Sequence, residues 1–198
     1  MKDRSLTCRG FGLGSFAIPA FEVRPGESVS LLLPSWFELE RELRDFLTGT
    51  QPRSEIKLAA KCVSVRQALP RGGIRGRLFN TMPITWLTER GLARSQASAV
   101  LNRHAIEGRT PLSHLATTPR ILLGLEAAYH QRPDVIVFAM SGLDPLGRRA
   151  VVDLVRTHLD HTGIVSLTYP CTTSGMITYS PFPESLTHEV HGRSPMAV

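Results

Sequence analysis

Apolar and polar positions alternate along this chain in short blocks. The sharpest block is Gln131 to Arg149, QRPDVIVFAMSGLDPLGRR. Its apolar run, Val135 to Met140, is too short for an ordinary helix and suits a buried strand. Ser141-Gly142-Leu143 turns the chain, and Asp144-Pro145 opens a helix with an acidic N-cap and a proline at its first position. Leu146, Ala150, Val151, Leu154, Val155 and Leu159 carry that helix on one apolar face. A strand, a loop and a helix in this order form the unit from which parallel sheets are built.

The same alternation appears nearer the start. Phe21 and Val23 sit at strand spacing, Pro25-Gly26 suits the centre of a type II turn, and Val29 to Leu33 is a second buried strand. Ser35 and Glu38 form a capping box, after which Trp36, Leu39, Leu43, Phe46 and Leu47 share a helical face that ends at Thr48-Gly49. Met1 to Ala20, broken by Gly10, Gly12, Gly14 and Pro19, predicts a strand or two with tight turns. IKLAAKC is strand-like, and Val63 to Gln67 alternates as a strand. Ala68 to Gly76 is a loop rich in Pro, Gly and Arg.

Phe79 to Leu115 predicts helix, interrupted at Gly91 and closed near Gly108. Thr118-Pro119 caps and opens the next helix, with Ile121, Leu122, Leu125, Ala128 and Tyr129 on one face. Thr162-Gly163 turns into a strand at Ile164 to Thr168. The tail from Cys171 predicts one short hairpin and a frayed end.

Composition narrows the class. A chain of 198 residues with 42% hydrophobic content is long enough for one well-packed domain. No apolar run approaches the length of a bilayer crossing, and MKDRSLTCRG has no apolar signal-peptide region. Cys8, Cys62 and Cys171 are odd in number and scattered, which fits reduced thiols. The formal charge is +6. Arginines are spread along the chain, with a local group at Arg66, Arg71, Arg75 and Arg77, and without the aromatic interleaving of single-strand binders. A solvated surface is the expectation, ahead of a partner-facing or membrane-facing patch and of nucleic acid. His158 and His161 suit a helix C-terminus better than a metal.

PDVIVF-x-x-SGLDPLGRR resembles the Walker B strand and D-loop of the ATP-binding cassette (ABC) ATPases. In that family the strand ends in Asp-Glu and is followed by Pro-Thr-Ser-Gly-Leu-Asp-Pro. Here Val137 stands in the aspartate slot, Phe138 in the glutamate slot, Ala139 in the proline slot and Met140 in the threonine slot, while Ser141, Gly142, Leu143 and Asp144 keep the D-loop. FEVRPGESVSLLLPS is similar to the family's hairpin and strand leading into the phosphate loop, Gly-x-x-x-x-Gly-Lys-Ser/Thr. With Pro34-Ser35 matched to the Pro-Ser common there, Leu33 takes the first glycine slot and Trp36 an inner one. Glu38 takes the last glycine, Leu39 the lysine and Glu40 the hydroxyl. Glu38 and Glu40 would repel a triphosphate by about 4 kcal/mol per contact at ~4 Å and an effective dielectric of ~20.

The resemblance also makes Gln67 the Q-loop candidate, Leu115-Ala116-Thr117-Thr118-Pro119 the signature position, and Tyr169 the residue at the switch-histidine position. A second signature register uses Leu112-Ser113. Both signature glycines are absent in either register. Phe11 and Phe16 are available for the adenine-stacking role, although core packing is the ordinary role of such aromatics.

The implied fold is α/β: a P-loop NTPase-like, mostly parallel sheet flanked by helices, with a small antiparallel part and a reduced helical subdomain. It would be one domain over 1–198, with the helical subdomain at roughly 79–118 and a tail at 171–198. The strand from Leu31 is expected beside the strand from Val135. The implied function is that of a pseudo-ATPase, structural or regulatory in an ABC transporter-type complex, without ATP or magnesium as cofactor. Its partners would be an active ABC ATPase, a membrane permease subunit, or both, in a homo- or heterodimer. Its place would be the cytoplasm, at the inner face of the membrane through that complex. Two alternatives stay open: an ATP-binding subunit of an asymmetric dimer, and a basic module for nucleic acid or anionic surfaces.

Overall fold

The computed structural model describes residues 4–33, 37–69 and 81–169, with short strand pieces at 172–173, 176–177, 186–189 and 191–192. Strands β1 (Leu6–Leu13) and β2 (Phe16–Val23) form an antiparallel hairpin on a two-residue turn, where Gly14 takes a φ of 57°. β3 (Ser28–Leu32) follows a turn closed by the Glu27 amide on the Arg24 carbonyl, with Gly26 at φ 92°, as the Pro25-Gly26 pair predicts. Helix α1 (Phe37–Leu47) buries Leu39, Leu43 and Leu47, the predicted face, and stops at Gly49 with φ 73°.

β4 (Ile56–Leu58) pairs with β1, so IKLAAKC is split rather than continuous: β5 (Cys62–Ser64) belongs to a different sheet. β5 also ends before Gln67, shorter than the alternation Val63 to Gln67 predicts.

The main sheet joins β3, β5, β6 (Val135–Ala139), β7 (Gly163–Thr168) and β10 (Leu186–Glu189) in the order β10-β3-β7-β6-β5, every pair parallel. The expected adjacency of β3 and β6 is therefore wrong. β7 lies between them, and the burial pattern gives the reason. All six of its residues, GIVSLT, are buried, whereas β3 and β6 each have one terminal residue less covered. The most uniformly covered strand occupies the middle of a parallel sheet. Two hydroxyls share that centre: Ser30 and Ser166, paired in register, hydrogen-bond each other at 2.8 Å. β7 can start where it does because Gly163 lies against the Arg24 carbonyl, where a Cβ would collide with backbone.

The tail is more ordered in its pairing than a frayed end. β8 (Thr172–Thr173) and β9 (Met176–Ile177) make the short hairpin, but β10 then extends the parallel sheet beside β3, and β11 (His191–Gly192) adds to β2.

The chain divides into two compact units. The first comprises Met1–Ser64, Pro133–Ser141 and Val155–Val198. Its core joins Leu6, Phe11, Phe21 and Val23 to Val29, Leu31, Leu43, Val137, Val165 and Leu167. The second comprises Val65–Arg132 and Gly142–Leu154. It holds helices α2 (Pro83–Thr88), α3 (Arg94–Arg103) and α4 (Thr117–His130) and most of α5 (Pro145–Arg156). Trp86, Leu87, Leu101, Leu112, Leu123 and Ala127 lie in its core.

Several helix boundaries differ from the predicted ones. The stretch predicted helical from Phe79 onward is two helices separated at Gly91, φ 95°, and α3 ends at Arg103 rather than near Gly108, because Ala105 turns the chain at φ 50°. α4 has Ala116 as its N-cap, so Thr118-Pro119 lies inside the first turn instead of opening it. Gly124 in α4 is required by the Arg66 carbonyl, which passes against it. α5 stops at Arg156, and a 3-10 turn, Leu159–His161, follows between His158 and Thr162. Among the described residues no helix is long and apolar enough to cross a membrane.

Candidate functional site

Three parallel neighbours, β3, β7 and β6, run the same way, so their carboxyl ends lie along one edge of the sheet. The chain leaves β3 into α1, whose fourth residue is Glu40. It leaves β6 through Met140 to Ser141, and β7 directly into Tyr169. Backbone bonds finish the strand ends: the Met140 amide donates to the Leu167 carbonyl at 3.0 Å, and the Leu33 amide to the Thr168 carbonyl at 2.7 Å.

These three exits converge on one carboxylate. Glu40 is only 3% exposed, and its Oε2 accepts from the Ser141 hydroxyl at 3.1 Å and the Tyr169 phenol at 2.9 Å. Oε1 faces the Arg44 guanidinium at 3.5 Å, one helical turn along α1. Burial, and then the Glu40 carboxylate beside it, push the Tyr169 phenol above its ordinary range. The phenol therefore stays protonated at neutral pH and remains a donor. A buried carboxylate with three donors is a satisfied anion, and without them it would carry a severe desolvation penalty.

Of the positions singled out in the sequence, this cluster brings together Glu40, Ser141 and Tyr169. Val137 and Phe138, at the places of the Walker B acids, are apolar and buried in β6. Leu33 is fully buried, and so nearly is Leu39. Pro34, Ser35 and Trp36 lie outside the described residues, as does the Glu38 side chain, so the expected capping box falls there too. The neighbouring Asp144 carboxylate accepts from the Gly147 amide at 2.6 Å and caps α5, as its place before Pro145 predicts. Gly147 is required there, since a Cβ would strike the Thr118 hydroxyl. Gly142 takes a φ of 74°, and Leu143 is buried.

Gln67 is half-buried, beyond the end of β5. Leu115 to Pro119 spans the end of a 3-10 turn, Leu112–His114, and the first turn of α4. Phe11 is a core residue, edge-on to Phe46 at 6.1 Å, with the Arg53 guanidinium over its ring at 4.2 Å. Phe16 packs against the same core. Of the arginine group, Arg66 is exposed, and Arg71, Arg75 and Arg77 lie outside the described residues.

Sequence reasoning treated Glu40 only as a repulsive charge and missed its partners. Arg44 was legible as an i,i+4 pair. Ser141 and Tyr169 were not, since they stand 101 and 129 residues away.

No sequence family and no curated protein sequence matches the chain. Solved structures do. An inward-facing transporter assigned to the metal-chelate type of ABC transporters superposes with a TM-score of 0.63 at 16% identity, over 85% of this chain and 73% of that one. CbiO1 from Clostridium perfringens, part of the ABC transporter complex cbiONQ, gives 0.55 at 15% identity over 83% and 78%. Ribosome-bound archaeal Pelota and ABCE1 gives 0.60 at 14% identity, over 97% of this chain and 35% of that one. The fold is that of the ABC ATPases. Within this fold, the cluster at Glu40 lies beyond the carboxyl ends of three parallel strands, the edge at which open α/β sheets receive ligands.

Proposed function

We propose that the chain is a non-hydrolysing ABC ATPase-like subunit, structural or regulatory, in an ABC transporter-type complex. The observation that carries this is the buried Glu40 carboxylate at the strand ends, internally satisfied by Ser141, Tyr169 and Arg44. Phosphoryl transfer needs cations and donors aimed at phosphate oxygens, an acid for magnesium and a base for water. Here a negative side chain takes the donors, and Val137 and Phe138 offer no side-chain oxygen to a metal. Magnesium triphosphate does not suit these residues, and no chemical step is assigned to them.

What such a subunit retains is a surface. Gly142 and Asp144 on the loop and Pro145 and Leu146 at the start of α5 are exposed, the last 79% so, with the helix capped by Asp144. A capped helix start with an exposed leucine is suited to meeting another protein. Two of the structural neighbours are an ABC transporter and a part of an ABC transporter complex, which supports a cassette or permease as the partner.

Titration calorimetry with Mg-ATP, followed by a phosphate-release assay, tests the first half. No binding heat at millimolar nucleotide and no turnover are expected, and turnover would end the proposal. Extraction in mild detergent tests the second half. Co-purification with an intact cassette or permease in fixed stoichiometry is expected, and a strictly monomeric protein would count against it.

A further inference from the structure

The donors around Glu40 resemble those an open sheet offers a ligand. Ser141 and Tyr169 lie just past the ends of neighbouring strands, and Glu40 lies in the first turn of the helix that leaves β3. A phosphate placed there would accept from such hydroxyls and sit near the positive pole of that helix. Glu40 supplies the same features from within the chain: negative charge, burial, and one oxygen shared by both hydroxyls.

We infer that Glu40 is an internal stand-in for a bound phosphate, an anion carried on α1 that holds the ends of β6 and β7 in one conformation without a ligand. The inference deepens the non-hydrolysing reading above and rests on it. A nucleotide-driven ATPase would release these strand ends when its phosphate left. Here the anion is covalently part of the chain and never leaves, so the strand ends and the loop after Ser141 stay set.

Two backbone amides report on this latch: Met140, bonded to the Leu167 carbonyl, and Leu33, bonded to the Thr168 carbonyl. Hydrogen exchange of the full chain, without nucleotide, would be compared for the natural protein, Glu40→Ala and Tyr169→Phe. Both amides are expected to exchange about tenfold faster or more in each variant, as the loss of a hydrogen bond to a charged group implies. The Val165 and Ile136 amides, further inside the sheet, should keep their rates.

Unchanged exchange at Met140 and Leu33 would overturn the inference. So would an equal rise across the sheet, which would make Glu40 an ordinary contributor to stability. Tyr169→Phe removes a single oxygen and keeps the test informative if Glu40→Ala does not fold. Mg-ATP titration and a phosphate-release assay on the natural protein separate the two readings. Turnover together with selective loosening in the variants would end the non-hydrolysing reading and keep the latch. No binding together with unchanged variants would do the opposite.

Discussion

Among the described residues each compact unit buries one carboxylate, and the two are neutralised differently. In the helical unit, Glu126 on α4 is 8% exposed, and one of its oxygens accepts from Arg103 and from His104 Nε2, both at 2.7 Å. In the sheet unit, Glu40 takes its two shortest bonds from neutral hydroxyls, and the Arg44 guanidinium is farther off at 3.5 Å. Glu126 has the anatomy of a structural bridge: consecutive basic residues at the end of α3 tie it to α4. Glu40 has the anatomy of a ligand in its site, held by oxygen donors from the ends of separate strands. Burial alone does not distinguish a brace from a mimic; the identity and origin of the donors do.

The largest expected effect follows from deleting the more enclosed anion. Glu40→Ala strands two half-buried hydroxyls and a mostly covered guanidinium, and should cost on the order of 3–5 kcal/mol in chemical denaturation. A loss below about 1 kcal/mol would mean that water replaces the carboxylate easily. Glu126→Gln should cost less, about 1–3 kcal/mol, because the Arg103 side chain is 56% exposed and can rehydrate.

Acid separates the two further. Burial pushes the Glu126 carboxyl up, but bonds from His104 and Arg103 outweigh it and hold the group below its ordinary 4.5. A lowered carboxyl contributes stability that is complete above that ordinary value and is lost as pH falls through the folded one. Stability of the natural protein should therefore fall more steeply below about pH 4.5 than that of Glu126→Gln. Parallel acid limbs would show that the bridge carries no linkage.

Tyr169→Phe should cost about 1 kcal/mol, the value of one hydrogen bond, and concentrate its effect in the sheet unit. Leu146→Ala should leave the denaturation midpoint within about 0.5 kcal/mol, since the side chain is in solvent. It should instead weaken co-purification with any partner cassette or permease.

Where a signal was local, it was legible in the sequence. Asp144-Pro145 gave a capped helix, Pro25-Gly26 gave a turn with positive φ, and the Leu39-Leu43-Leu47 spacing gave a buried face. Where the answer depended on distant pairing, the pattern was silent. Nothing within GIVSLT says that it separates β3 from β6, because strand order is set by which runs are covered on both faces. The tail misled for a related reason: LTHE is too polar to read as a strand, yet it pairs in parallel with β3. The Glu40 cluster combines both difficulties, being polar residues drawn together from three strand ends.

Strand β3 also carries a consequence for how this protein is made. Its two hydrogen-bonding neighbours are β7 and β10, and the Ser30–Ser166 pair alone spans 136 positions. At a translation rate of about 5–20 residues per second, Ser-Val-Ser-Leu-Leu emerges roughly seven seconds or more before β7 can pair with it. A nascent apolar segment left so long without a mate invites chaperones on the ribosome, and recombinant yield should improve when synthesis is slowed or a holdase is supplied.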